Sequence, residues 1–352
     1  MTVAGTAIDR RPGLDDRRLT RLMHRAIERC ALNLSGATVL TEAASGAYVV
    51  TPVLAALAGA DRVLAVTRAT RYGSVDEIRE STLALARRAG VDGRIDVVTT
   101  SPCDLAGRAD IVTNSGHVRP IDARVIAALK PRAVIALMYE AWEFRPADLD
   151  LAACARAGVR VAATMERHPQ IDVFSFLGPM AVRQLHDADL AVNRASILLI
   201  CDNPFAPFLE RGLRAAGADV ELVDSLSAAR GAAFDAIVVS LTPGDRPVFG
   251  EDEAVEIASR WPDAIVSQFW GDIERKAFQS VGVTVWPPEP PKPGHMGILL
   301  SDLGPDPIVR LQTGGLKAAE VLWRFGNGQR NLDLAYVEPL THTEAIKCPE
   351  FS

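Results

Sequence analysis

Apolar positions recur at helical spacing over residues 15–33. Leu19, Leu22, Met23, Ile27 and Cys30 share one face, with Arg and Glu between them. From residue 37 the pattern changes to short continuous apolar runs at 37–41, 62–67, 95–99, 110–113, 133–138 and 159–163. Helical stretches at 47–59, 74–90, 120–129 and 147–157 separate most of them. An apolar run without polar alternation marks a strand buried on both faces, and intervening helices make the sheet parallel. Six such strands predict one doubly wound domain.

A second series begins near 196. It predicts strands at 196–201, 219–223, 235–241, 263–268 and 281–286, and helices at 205–217, 251–260, 272–280 and 313–326. The segment 169–194 contains a helix and carries the chain between domains. Pro-rich 287–293 continues neither strand nor helix. The expected division is an N-terminal helix (1–35), a nucleotide-binding domain (36–190), a second α/β domain (191–329) and an extended tail (330–352). The fold class is α/β, with two doubly wound parallel-sheet domains and a cleft between them.

Composition narrows the function classes. The chain has 352 residues, 48% of them apolar, enough to bury two cores. Lys+Arg 38 against Asp+Glu 44 leaves a net charge of −6, the wrong sign for a general nucleic-acid binder. Arginines between residues 10 and 29 are interspersed with Asp15, Asp16 and Glu28, which reads as a solvated or packed helix face. No apolar run approaches the ~18–20 residues of a membrane span, and no signal-peptide core is present. Cys30, Cys103, Cys154, Cys201 and Cys348 are scattered without a CxxC pair, which suits a reducing cytoplasm. The six histidines hold no HxH or HxxxH pair, so no metal is expected. GxSxG and Walker A motifs are absent. The N-terminal helix and the tail are compatible with a homodimer.

In open parallel sheets, ligands bind beyond the carboxyl ends of the strands. The first such loop runs Thr41-Glu42-Ala43-Ala44-Ser45-Gly46, and aligned on GxGxxG it reads Thr41-x-Ala43-x-x-Gly46. Small residues there permit close approach of a pyrophosphate, with Ser45 and the following helix N-terminus supplying donors. Glu42 sits awkwardly for that purpose. The second strand ends in Thr67, Arg68, Thr70 and Arg71 where an NAD site would carry an acid. Guanidinium groups bind phosphate bidentately, so Arg68 and Arg71 favour NADP, with NAD or S-adenosylmethionine as alternatives. Solvated loop arginines are the competing reading.

The turn TEAASGAY resembles the TGxxxGxG turn of short-chain dehydrogenases, and Asp110–Gly116 resembles their NNAG strand end, which places Asn114, Ser115 and Gly116 by the cofactor. The family's Tyr-x-x-x-Lys is missing: residues four after Tyr48, Tyr72, Tyr139 and Tyr336 are Pro52, Asp76, Glu143 and Leu340. The two-domain layout resembles the 2-hydroxyacid dehydrogenase and S-adenosylhomocysteine hydrolase group, although here the nucleotide-binding domain comes first. That resemblance implies hydride transfer to or from a small carbonyl or hydroxy substrate. It implies roles for Arg167 with Glu140 or Glu143, and for His117 or His295. His168, beside Arg167, joins the acid/base candidates.

Two other readings stay open. The run Ala89–Val98 resembles the segment before the third strand of methyltransferases. A degenerate turn also suits a nucleotide-binding scaffold without activity. In the second domain, Asp202 or Asn203 reads as a helix cap, and Gln312-Thr313-Gly314-Gly315 reads as a helix opening able to bind an anion.

Overall fold

The computed structural model describes residues 14–330 and 332–338. The described residues form two compact units, one up to Val173 and again from Gly304, the other Phe174–Leu303. The first unit runs α1 (Asp16–Cys30), β1 (Thr38–Glu42), α2 (Val50–Leu57), β2 (Arg62–Val66), α3 (Val75–Ala89), β3 (Ile95–Val98), α4 (Pro102–Ala106), β4 (Ile111–Thr113), α5 (Ala123–Ala127), β5 (Val134–Ala136), α6 (Leu151–Ala157) and β6 (Arg160–Thr164). The second runs α7 (Leu177–Asp187), β7 (Ser196–Cys201), α8 (Ala206–Ala215), β8 (Asp219–Val223), β9 (Ala236–Ser240), α9 (Glu251–Arg260), β10 (Ile265–Trp270), α10 (Arg275–Ser280) and β11 (Val285–Trp286). The chain then returns to the first unit with α11 (Pro305–Gly326) and β12 (Val337–Glu338).

All eleven strands expected from the apolar runs are present. The first sheet has the order β12-β6-β5-β4-β1-β2-β3. Its six main strands are parallel, in the doubly wound order of a Rossmann domain. The switch point lies between β1 and β4. The second sheet has the order β11-β10-β9-β7-β8, all parallel, with its switch point between β7 and β9.

Period-two alternation explains how one strand serves two layers. Ile197, Leu199 and Cys201 of β7 join a core with Leu185, Leu209 and Leu213 from α7 and α8. Leu198 and Ile200 face the other way, toward Ile257 and Phe278 of α9 and α10. In the first unit, Leu40, Val112, Ile135 and Val161 pack with Leu105, Val125 and Leu151 from α4–α6. Each fully buried aliphatic side chain contributes roughly 1.5–3 kcal/mol.

α1 begins where Asp15 accepts the Arg18 amide at 3.0 Å. Its buried residues are Leu19, Met23, Ala26 and Cys30. Arg18 pairs with Asp306 at 2.7 Å and Arg29 with Asp172 at 3.6 Å, so both arginines are tied into the unit.

Three expectations need correction. Residues 312–315 do not open a helix: α11 starts at Pro305, and Gln312, Thr313, Gly314 and Gly315 are buried inside it. A Cβ on Gly314 would lie 2.8 Å from Ile171, and one on Gly315 would lie 2.9 Å from the Met138 Cα. These glycines let a long helix press on the sheet; they offer no free amides to an anion. The unit boundaries fall at 173 and 303, not at 190 and 329, because α7 packs on α8 while α11 packs across β4–β6 and against α1. The tail read as an extended arm instead makes a 3-10 turn at Leu334–Tyr336 and adds Val337–Glu338 antiparallel to β6; residues 331 and 339–352, with His342 and Cys348, lie outside the described residues. No helix among the described residues is long and apolar enough to cross a membrane.

Candidate functional site

The carboxyl ends of β1, β2, β4, β5 and β6 carry the polar residues of the first unit. At β1, Thr41 is fully buried and its hydroxyl accepts from Thr113 at 2.8 Å, with Ser115 Oγ a further 2.8 Å along the same chain of hydroxyls. Ala43 is also fully buried. Two of the three positions aligned with glycines therefore face the interior, because they continue the alternation of the strand. Gly46 is different. It sits at φ +64°, a left-handed conformation that favours glycine, with open space where a Cβ would be. Ser45 precedes the 3-10 turn 46–49 leading into α2, and its side chain makes no capping bond.

Glu42 fills the switch point. Its Oε2 accepts the His117 amide at 3.1 Å and lies 2.7 Å from where a Gly116 Cβ would stand. A side chain at 116 would require this carboxylate to shift. Burial pushes the Glu42 carboxyl above the usual range, opposed by the His117 amide, Arg119 and Arg68.

At the end of β2, the Thr67 hydroxyl is buried with no hydrogen-bond partner. Arg68 reaches across to β4, where its Nε donates to His117 Nδ1 at 3.1 Å. Burial, then the Arg68 charge, lowers the His117 pKa. Arg71 points elsewhere: its guanidinium stacks over the ring of Tyr72, 4.6 Å from the centroid. The two arginines of this loop are thus not one phosphate clamp.

Beyond β4, Asn114 is fully buried and satisfied. Its Nδ2 donates to the Tyr139 hydroxyl at 2.7 Å, and its Oδ1 accepts from Arg119 at 2.9 Å. Arg119 also pairs with Asp148 at 3.3 Å and stands over the Tyr139 ring. Asn114 and Arg119 thereby brace the ends of β4 and β5.

The ends of β5 and β6 gather carboxylates. Glu140 is 1% exposed. It accepts from Arg167 at 3.2 Å and from the Trp142 indole at 2.9 Å. Glu338 of β12 caps the Ala141 amide at 2.6 Å and lies 3.9 Å from Arg167. Burial, then Glu140, pushes the Glu143 carboxyl up to about 7. Burial, then Glu143 and Glu140, raises Glu166 well above the ordinary range. Tyr48 is pushed up to about 12 by burial and then by Glu42, Glu143 and Glu166, which places it in the same electrostatic neighbourhood. Among the described residues, no group of three or more His, Cys, Asp or Glu could hold a metal ion.

Two histidines stand apart from this cluster. His168 stacks on Tyr336 at 3.8 Å, accepts the Gln170 amide at 3.2 Å, and lies 3.6 Å from Asp333. Its ring and Nε2 face the segment before β12, while Nδ1 closes its own turn. His295 belongs to the second unit, in a loop pinned where Asp272 accepts the Gly294 amide at 3.0 Å. In that unit Asn203 caps locally, accepting the Phe205 amide at 3.1 Å, while Asp202 accepts from Thr242.

The structure thus assembles Glu42, Arg68 and His117 on one side, and Glu140, Glu143 and Arg167 on the other. Sequence reasoning misses Tyr48; it sets Arg119, Tyr139 and Glu166 among the polar clusters past the fourth, fifth and sixth strands without giving them roles, and reads Glu42 only as awkward for a phosphate. The signal for Glu42 and Glu166 is an acid at or just past the end of an apolar strand.

No protein-family model matches the chain, and no curated protein matches it. Solved structures do. A dipicolinate synthase component from Bacillus halodurans aligns with a TM-score of 0.51 at 11% identity, covering 84% of this chain and 100% of that one. Its counterpart in the dipicolinate synthase of Bacillus subtilis gives 0.49 at 11%, covering 84% and 97%. An NAD-dependent formate dehydrogenase from Staphylococcus aureus, in complex with NAD, gives 0.44 at 10%, covering 82% and 95%. At 11% identity the likeness is one of fold: the chain has a two-domain Rossmann-type layout.

Proposed function

We propose that the chain is a nicotinamide-nucleotide-dependent oxidoreductase, with NADP preferred, acting on a small carbonyl or hydroxy substrate at the carboxyl edge of the first unit. The observation that carries this reading is the end of β2: an exposed Arg68 beside an orphaned, buried Thr67 hydroxyl, next to the switch point of a Rossmann-ordered sheet. An unsatisfied buried hydroxyl costs about 1–3 kcal/mol unless a partner arrives, and a ribose phosphate is such a partner. The open backbone at Ser45–Gly46 suits a pyrophosphate. Glu42 suits it in the protonated form that burial favours, since a neutral carboxyl does not repel phosphate.

When bound, the nicotinamide supplies or accepts the hydride. The chain's own residues then hold and move the proton. In the ligand-free protein His117, with Nδ1 bonded to Arg68, carries its proton on Nε2, and Asn114, Ser115 and Gly116 form the turn that holds it. Arg167, paired with Glu140 and with 38% of its side chain exposed, orients a substrate carbonyl or carboxylate by its charge. Glu143, at about 7, exchanges protons near neutrality.

Glu42 supports a second reading. An acid at the end of β1, among further carboxylates, suits a cationic ligand such as S-adenosylmethionine. Thermal-shift measurements with NADPH, NADH and S-adenosylmethionine separate the readings. A ligand at 100 times its Kd adds about 2.7 kcal/mol to the folded state. NADPH is expected to raise Tm most, and the oxidoreductase reading is wrong if neither pyridine nucleotide raises it at saturation.

A further inference from the structure

Arg68 and His117 belong to different strand ends, yet Arg68 Nε donates to His117 Nδ1 at 3.1 Å. That bond requires an unprotonated Nδ1, so it holds the imidazole neutral. The other groups facing the pair are Glu42 from β1, whose carboxylate accepts the His117 amide, and Arg119 from the same turn as His117. Arg68 itself is exposed, so an incoming anion reaches it without displacing packed side chains. A guanidinium that grips phosphate side-on uses Nε and one Nη, and Nε is the atom now given to His117. A phosphate dianion is also a stronger acceptor than a neutral imidazole.

Resting on the NADP reading, we infer that Arg68 is a latch with two alternative partners, His117 Nδ1 in the free protein and the ribose 2′-phosphate in the complex. Binding takes Nε away from the imidazole. His117 then takes a proton from solvent and becomes a proton donor, so the acid is armed only when cofactor is present. Linkage is reciprocal, so phosphate binding tightens as pH falls through the His117 midpoint. In this scheme Arg68 is a positioning residue for His117 as well as a phosphate ligand.

The test follows the histidine resonances of the full chain by NMR, with the His117 signal assigned from His117→Asn. Adenosine 2′,5′-bisphosphate is the probe and adenosine 5′-monophosphate the control. The bisphosphate is expected to move the His117 midpoint upward and the monophosphate to leave it in place. Arg68→Met is expected to raise the midpoint without any ligand and to abolish the response to the bisphosphate. If the bisphosphate binds while the His117 midpoint stays where it was, the latch is wrong and the NADP reading stands. The latch is equally wrong if Arg68→Met leaves the ligand-free midpoint unchanged. If Arg68→Met raises the midpoint but the bisphosphate does not bind the native chain at all, the NADP reading fails and takes the latch's second partner with it.

Discussion

Glu42 and Gly116 compete for one space. The Glu42 Oε2 lies 2.7 Å from the position a Gly116 Cβ would take, well inside contact distance, and the same oxygen accepts the amide of the next residue, His117. Gly116→Ala is therefore expected to displace the carboxylate and to cost ~1–3 kcal/mol of unfolding free energy, the usual range for overpacking. Glu42→Ala should cost about 1 kcal/mol by leaving the part-buried His117 amide without its acceptor. Combined, the two changes should cost less than their sum, since Glu42→Ala removes the carboxylate that the new Cβ would meet. Urea unfolding of the double-mutant cycle checks this, and strict additivity would show the two residues are not coupled.

The glutamates after β5 and β6 make stability depend on pH in a stated direction. Glu143 and Glu166 both have folded pKa values raised above the ordinary carboxylate value, Glu143 to about 7. The folded state then binds more protons than the unfolded state between about 4.5 and 7, so stability falls as pH rises through that window. Their contribution is fully present below the unfolded pKa and is lost as pH rises through the folded one. Unfolding midpoints measured from about pH 5 to pH 8 should decline in the native protein. Glu143→Gln should flatten the decline, and a variant with an unchanged slope would contradict it.

Gly315 sits in the middle of α11, and replacing an exposed helical glycine with alanine ordinarily stabilises by roughly 0.5–1 kcal/mol. Here the new Cβ would stand 2.9 Å from the Met138 Cα, which is backbone and moves little. Gly315→Ala should reverse the ordinary sign and destabilise by ~1–3 kcal/mol. Calorimetric Tm values settle the sign directly.

If Arg167 orients the substrate, Arg167→Ala should lower kcat/KM by ~10²–10³-fold, the range for removing one positioned donor. Glu140→Gln should have a smaller effect of the same kind, because the amide still accepts from Trp142 but no longer carries the charge that holds Arg167. Steady-state kinetics on a turned-over substrate reads both. A loss confined to Tm with unchanged kcat/KM would make the pair purely structural.

The strands are legible in the chain because a parallel strand must be apolar on both faces, and that leaves an unbroken run in the sequence. Ser196–Cys201 and Ala236–Ser240 fall where those runs lie. Helix ends are legible where a cap or a turn residue marks them, as at Asp15 and Gly90. Gln312–Gly315 is not legible. A Gly-Gly pair after polar residues looks like a helix opening, and only the approach of Met138 and Ile171 makes it the packing face of a helix that begins at Pro305.

By itself, then, the sequence determined two parallel α/β sheets and the strand ends where polar groups collect, since burial and periodicity are local properties of a run of residues. The tertiary structure alone decided which of those groups meet. Arg68 turned toward His117 and Arg71 toward Tyr72, although the two arginines share one short loop. Glu42 became the centre of the switch point because residue 116 has no side chain. His168 went to Tyr336, which leads into the last strand of the sheet, far along the chain. Partner choice between polar side chains depends on the register of distant strands, and no local pattern encodes it.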